Sequence, residues 1–180
     1  PTITTSSPLP HATFGSSYNQ TLASSGGTGP YTYLVVGGGL PEGITLATGG
    51  GLSGAPNGMG TFSMLIRVRD ANGFDRDQQF FLPVDKADQT ISLSANPTTI
   101  THTGSSTLTL TNGPGSGEVT YSATGPCTTD GATVTPTGTG SCTVTATKAA
   151  DDNYNAASAD ATVTIDKADQ AAISGSASPS

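Results

Sequence analysis

Tryptophan is absent from this chain, aromatic residues make up only 6% of it, and six Lys and Arg stand against thirteen Asp and Glu. The formal charge of −7 repels polyanions, so neither nucleic acid nor an anionic membrane surface is expected as a partner. No apolar run is long enough to cross a bilayer as a helix, and no segment sustains an apolar repeat at helical spacing. What is abundant points elsewhere. The 24 glycines and 12 prolines, set among threonine- and serine-rich stretches, predict many short strands joined by turns. The stretch starts at Pro1 with no basic-then-apolar leader, so a secretion signal would have been removed or be encoded outside it.

One pentapeptide organises the rest. D-K-A-D-Q occupies residues 85–89 and again residues 166–170, 81 residues apart (166 − 85 = 81). Each copy follows a strand-like alternation, Phe80, Leu82 and Val84 before the first and Ala161, Val163 and Ile165 before the second. A repeat of that length is a whole small domain. The expected division is one domain over 1–85, a second over 86–166, and the start of a further repeat or a tail over 167–180. The linker between the first two contains neither Gly nor Pro, so limited relative motion and a rod-like pair are expected.

The strand pattern is sharpest near the end of the first domain. Phe62, Met64, Ile66 and Val68 share one parity with Phe80, Leu82 and Val84, which predicts one wall of a core. A two-residue turn at Asn72-Gly73 would set these against outward positions. A three-residue loop over 72–74 with Gly73 left-handed keeps the parity, placing Arg69 opposite Asp77 and Leu65 opposite Phe81 as an outward apolar pair. The second domain repeats the logic with smaller residues and threonine on the other face, the pattern of an antiparallel sandwich with one wet face. Its core is thinner. Cys142 shares the inward parity of Val144 and Ala146, and a disulfide to Cys127 is expected, the alternative being two reduced buried thiols.

Certain of these residues resemble known families. G-S-S-Y-N-Q-T-L-A-S-S-G-G-T-G-P-Y-T-Y, G-L-P-E-G-I-T-L, G-L-S-G-A-P, G-T-F and V-R-D-A-N-G make residues 15–84 similar to the Ig-like (cadherin-like) domain of bacterial surface proteins. K-A-D-Q-T-I-S-L, G-S-C-T-V-T-A and D-N-Y-N-A-A make residues 86–166 resemble a second bacterial Ig-like repeat. The resemblance implies an all-β chain of two tandem Ig-like antiparallel β-sandwiches, and a non-enzymatic stalk module of a secreted or cell-surface, adhesin-like protein. The partners implied are neighbouring Ig-like repeats of the same chain. Two other readings stand beside it. One is recognition of a glycan or host protein through sandwich-end loops or the region of Tyr18, Tyr31 and Tyr33; the other is homotypic assembly into an extracellular filament.

Candidate chemistry is sparse. Asp70, Asn72, Asp75 and Asp77, with Asp85 and Asp88 beyond them, could supply oxygens to a calcium ion, although the late bidentate Glu of a calcium loop is missing and the same residue types are ordinary in turns. No other cofactor is expected. Lys148 continues the inward parity of Val144 near Asp151 and Asn153; such a lysine could form an internal amide crosslink with an asparagine, whereas a solvated strand end is the ordinary expectation. Tyr154 is expected to plug one end of the second core. His11 and His102 lie far apart in turn-like contexts, and no active site is assigned.

Overall fold

The computed structural model describes residues 1–169, in which the backbone is all-β and contains no helix. The chain divides into two compact units, Pro1–Gln89 with Ala150–Asn155, and Thr90–Ala149 with the described residues that follow Asn155.

Unit 1 contains β1 (Thr2–Ile3), β2 (Ala12–Thr13), β3 (Tyr18–Thr21), β4 (Ser24–Ser25), β5 (Thr32–Gly38), β6 (Ile44–Leu46), β7 (Gly51–Gly54), β8 (Gly60–Arg69) and β9 (Asp75–Asp85). They form a four-stranded sheet in the order β2-β9-β8-β5, a three-stranded sheet β3-β7-β6, and the short pair β1-β4. The alternation in β8 and β9 does what period-two patterning requires. Met64, Ile66, Val68, Phe80, Leu82 and Val84 are buried, with Phe62 packed at the margin. From the other elements Leu9, Tyr18, Leu22, Tyr33, Ile44 and Leu52 complete the core. Within the smaller sheet Gly54 has φ +134°, and a Cβ there would collide with the Gly43 carbonyl. The glycine of G-L-S-G is therefore a packing requirement.

The β8-β9 hairpin differs from the register expected of it. Arg69 faces Asp75 and Arg67 faces Asp77, so the pairing is shifted by two residues while the inward parity is kept. Leu65 faces Gln79 and Phe81 faces Ser63, so the expected apolar pair does not form. The cause is the loop. Asp70 N–H donates to the Phe74 carbonyl (3.0 Å) and Gly73 N–H to the Asp70 carbonyl (3.0 Å), which closes a five-residue loop around Gly73 at φ +84°.

Unit 2 contains β10 (Ser92–Asn96), β11 (Thr99–Thr101), β12 (Ser106–Thr111), β13 (Val119–Thr124), β14 (Cys127–Asp130), β15 (Thr133–Pro136), β16 (Gly140–Lys148) and β17 (Ala157–Asp166). Its two sheets run β10-β12-β15-β14 and β11-β17-β16-β13. Ile100, Leu108, Val134, Val144, Ala161, Val163 and Ile165 pack with the cysteines in the core, and the intervening threonines of β17 are exposed. Cys127 and Cys142 are joined in a disulfide that ties one sheet to the other. The sheet β11-β17-β16-β13 repeats the plan of β2-β9-β8-β5: in each, a short strand runs parallel to the last long strand. The expected further repeat begins at 167 and falls mostly outside the described residues.

Candidate functional site

The acidic residues singled out in the sequence divide between two places. Asp70, Asn72, Asp75 and Asp77 belong to the β8-β9 hairpin, while Asp85 and Asp88 lie at and just past the end of β9. Asp70 is only 5% exposed. Its Oδ1 accepts the N–H groups of Asn72 and Phe74, both at 3.0 Å, and its Oδ2 accepts that of Thr28 at 3.3 Å. Asn72 Nδ2 adds a bond to Thr28 Oγ1 at 2.9 Å. Burial pushes the Asp70 carboxyl up, but the N–H groups of Phe74, Thr28 and Asn72, with the charged N-terminus, more than offset it and hold it below the usual carboxylate range.

The other hairpin acids face arginine. Arg67 grips Asp77 through Nε (2.7 Å) and Nη2 (2.8 Å), and Arg69 grips Asp75 through Nε (2.6 Å) and Nη2 (2.7 Å). These two-pronged pairs hold both carboxyls below their ordinary values, chiefly through the hydrogen bonds to Arg69 and Arg67, and raise both guanidiniums. Asp85 meets His11 Nδ1 at 2.7 Å, and Asp88 accepts from Asn155 Nδ2 at 2.7 Å. Calcium requires six to eight oxygens. Among the described residues no group of three or more His, Cys, Asp or Glu side chains gathers to hold a metal ion, and the carboxylates here already face arginine, histidine, an asparagine amide or backbone N–H donors. The donor set does not fit a calcium cage.

A polar network surrounds the first D-K-A-D-Q. The Ala87 N–H donates to the Asn153 carbonyl and the Ala87 carbonyl accepts the Asn155 N–H, each at 2.9 Å. Lys86 Nζ donates to the Asp151 carbonyl at 2.5 Å, and Gln89 Nε2 to that of Asn155 at 2.8 Å. Tyr154 meets Phe14 edge-on, with ring centroids 5.6 Å apart. Tyr154 thus packs on unit 1 and does not plug the core of unit 2. Sequence reasoning missed this network because its two halves are over sixty residues apart. The paired signals were present in D-K-A-D-Q and D-D-N-Y-N, but nothing local joins them.

Lys148 is buried, not solvated, at 1% exposure. Its Nζ donates to Asn112 Oδ1 at 2.8 Å and the Gly113 carbonyl at 2.9 Å. Its asparagine neighbour is Asn112 and not Asn153, whose loop is shaped by Asp151 accepting the N–H groups of Asn153 and Tyr154. Tyr18 and Tyr33 are buried in the unit 1 core, with hydroxyls bonded to the Pro10 carbonyl and to Ser24. Tyr31 is half-buried and bonds the Gly26 carbonyl. Beside them Thr32, Tyr33, Leu34, Thr48, Arg67 and Arg69 line a cavity of about 290 Å³.

Residues 1–85 match the family described as "Putative Ig domain". The sheet pairing of this Ig-like unit and its buried alternation agree with that assignment. No curated protein sequence matches the chain. Among solved structures, cadherin domains 1–4 of protocadherin gamma B7 superpose with a TM-score of 0.43 at 14% identity, covering 92% of this chain and 49% of that one. Drosophila N-cadherin domains 1–4 give 0.34 at 12% identity, covering 91% and 49%. A SusE-like, surface-located polysaccharide binding protein from the heparin utilisation locus of Bacteroides thetaiotaomicron gives 0.37 at 13%, covering 87% and 32%. The chain spans about half the length of these structures or less. Among the described residues no helix is long and apolar enough to cross a membrane.

Proposed function

We propose that this chain is a non-enzymatic structural segment of an extracellular, adhesin-like protein of a bacterial surface, a run of Ig-like units that spaces other domains. One observation carries the reading. The same four-strand plan is built twice, each time ending in D-K-A-D-Q. The polar side chains that could carry chemistry are committed to structure: Asp70 on three N–H groups, Asp75 and Asp77 on cross-strand arginines, Lys148 on two carbonyl oxygens. A disulfide between the sheets of unit 2 supports an oxidising compartment. Recognition of a glycan or host protein is the competing use, and the cavity beside Tyr33 is where it would be sought. Homotypic assembly is the other.

The test combines sedimentation across a concentration series with a glycan array that includes sulfated sugars. A spacer stays monomeric at every concentration and leaves the array blank. Specific glycan binding abolished by Arg67→Ala would replace spacing with recognition, and mass growing with concentration would replace it with assembly.

A further inference from the structure

Residues Asp166–Asp169, the described part of the second D-K-A-D-Q, are exposed, and Asp166 has the backbone pairing of Asp85. In unit 1, Ala12 and Thr13 of β2 run parallel to Val84 and Asp85, and the Asp85 carbonyl accepts the Phe14 N–H at 2.9 Å. In unit 2, Ile100 and Thr101 of β11 run parallel to Ile165 and Asp166, and the Asp166 carbonyl accepts the His102 N–H at 2.9 Å. Position for position, His102 stands where Phe14 does, one planar ring for another. Lys167, Ala168 and Asp169 then repeat Lys86, Ala87 and Asp88. Their surroundings differ. Ala87 is buried by the loop that contains Asn153, Tyr154 and Asn155, whereas Ala168 is exposed.

We propose that His102, Lys167, Ala168 and Asp169 form a docking site for a D-x-N-Y-N loop carried by a further Ig-like unit of the same array. Four groups that hold the loop on the first copy, Phe14, Lys86, Ala87 and Asp88, have counterparts among the described residues of the second. Ala168 is exposed and its N–H and carbonyl can pair with the loop backbone as those of Ala87 do, Lys167 can donate to a carbonyl as Lys86 does, and Asp169 can accept from an asparagine amide as Asp88 does. The His102 ring offers the surface for the tyrosine edge. The loop brings its own shape, because Asp151 Oδ1 accepts the N–H groups of Asn153 (2.9 Å) and Tyr154 (2.8 Å), an Asx-type turn encoded by the motif itself. A second copy of this chain is not the occupant: its D-D-N-Y-N loop is already engaged by residues 86–89. D-K-A-D-Q and D-x-N-Y-N are, on this account, the two halves of one recurring recognition motif. It does not depend on whether the array serves for spacing or for binding.

The experiment extends the chain after Gln170 with a second copy of residues 90–169 and follows amide hydrogen exchange at single residues. Exchange at the Ala168 amide slows by roughly tenfold or more relative to the 180-residue chain, approaching that of Ala87, and Tyr154→Ala made in the appended copy alone restores the fast rate. Ala168 exchanging equally fast in both chains, while the appended β-strands are protected, overturns the proposal. Should the appended copy fail to fold, a cyclic peptide of residues 148–158 titrated into the 180-residue chain replaces it. A shift of the Ala168 and His102 resonances that is lost with His102→Ala supports docking, and no shift at millimolar peptide contradicts it.

Discussion

The two units share the plan of one four-stranded sheet and build it from different materials. Unit 1 fills its interior with Phe80, Tyr18, Tyr33, Met64, Leu52 and Leu82. Unit 2 has Val134, Val144, Val163 and Ala161 in the corresponding role, and a disulfide between its sheets. Large side chains each remove more apolar area from water, at roughly 25 cal/mol per Å². A core of aliphatic side chains without a buried aromatic gives up part of that, and a crosslink closing a loop of about 15 residues offsets it by ~3 kcal/mol in the chain-entropy model. One strand plan is thus stable by two routes, and the routes fail under different insults.

The largest expected effect is in unit 1. Phe80 is fully buried, and Phe80→Ala should cost about 3–5 kcal/mol, read as a lower denaturant midpoint. A cost below about 1 kcal/mol would mean that the aromatic core is not what holds this unit.

A smaller effect separates the units by charge. Lys148→Met keeps the buried stem of β16 but removes both hydrogen bonds, at an expected cost of about 1–2 kcal/mol. Intact mass spectrometry of the unsubstituted chain should show no loss of ammonia, because Nζ donates to the Asn112 amide oxygen and has not displaced its nitrogen. A mass deficit of one ammonia, absent in Lys148→Met, would make this lysine a second covalent tie in unit 2.

Acid should act on unit 1. Asp70, Asp75 and Asp77 all have folded-state values depressed below the ordinary range, so their contribution is fully present above the unfolded value of about 3.9 and is lost as pH falls through the folded values. The melting temperature should be level from about pH 7 to pH 5 and decline below about pH 4, with Asp70→Asn less stable at neutral pH and flatter in acid. An unaltered acid limb in that variant would remove Asp70 from the linkage. Addition of calcium should leave the melting temperature where a chelator does, since the hairpin carboxylates already have partners.

Much of this could be read from alternation alone. The core faces of β8, β9, β16 and β17 follow from period-two patterning, and the inward parity of Cys142 pointed to the disulfide. Register could not be read to the residue, because parity fixes a hairpin only modulo two, and the shift was decided by one carboxylate capping the N–H groups of Asn72 and Phe74. The burial of Lys148 is not legible locally, because a charged strand end is ordinarily wet and the carbonyls that satisfy it belong to a loop over thirty residues away. Tyr154 was assigned to the wrong unit for the same reason: its environment is set by Phe14 and Ala87, which no local signal names.

The contrast between the two cores is tested most directly by amide hydrogen exchange with and without a disulfide reductant. The account predicts that Val144 and Val163 exchange about a hundredfold faster once Cys127 and Cys142 are reduced, corresponding to the ~3 kcal/mol of the crosslink, while Ile66 and Phe80 are unaffected. Equal acceleration in both units, or none in unit 2, would contradict it.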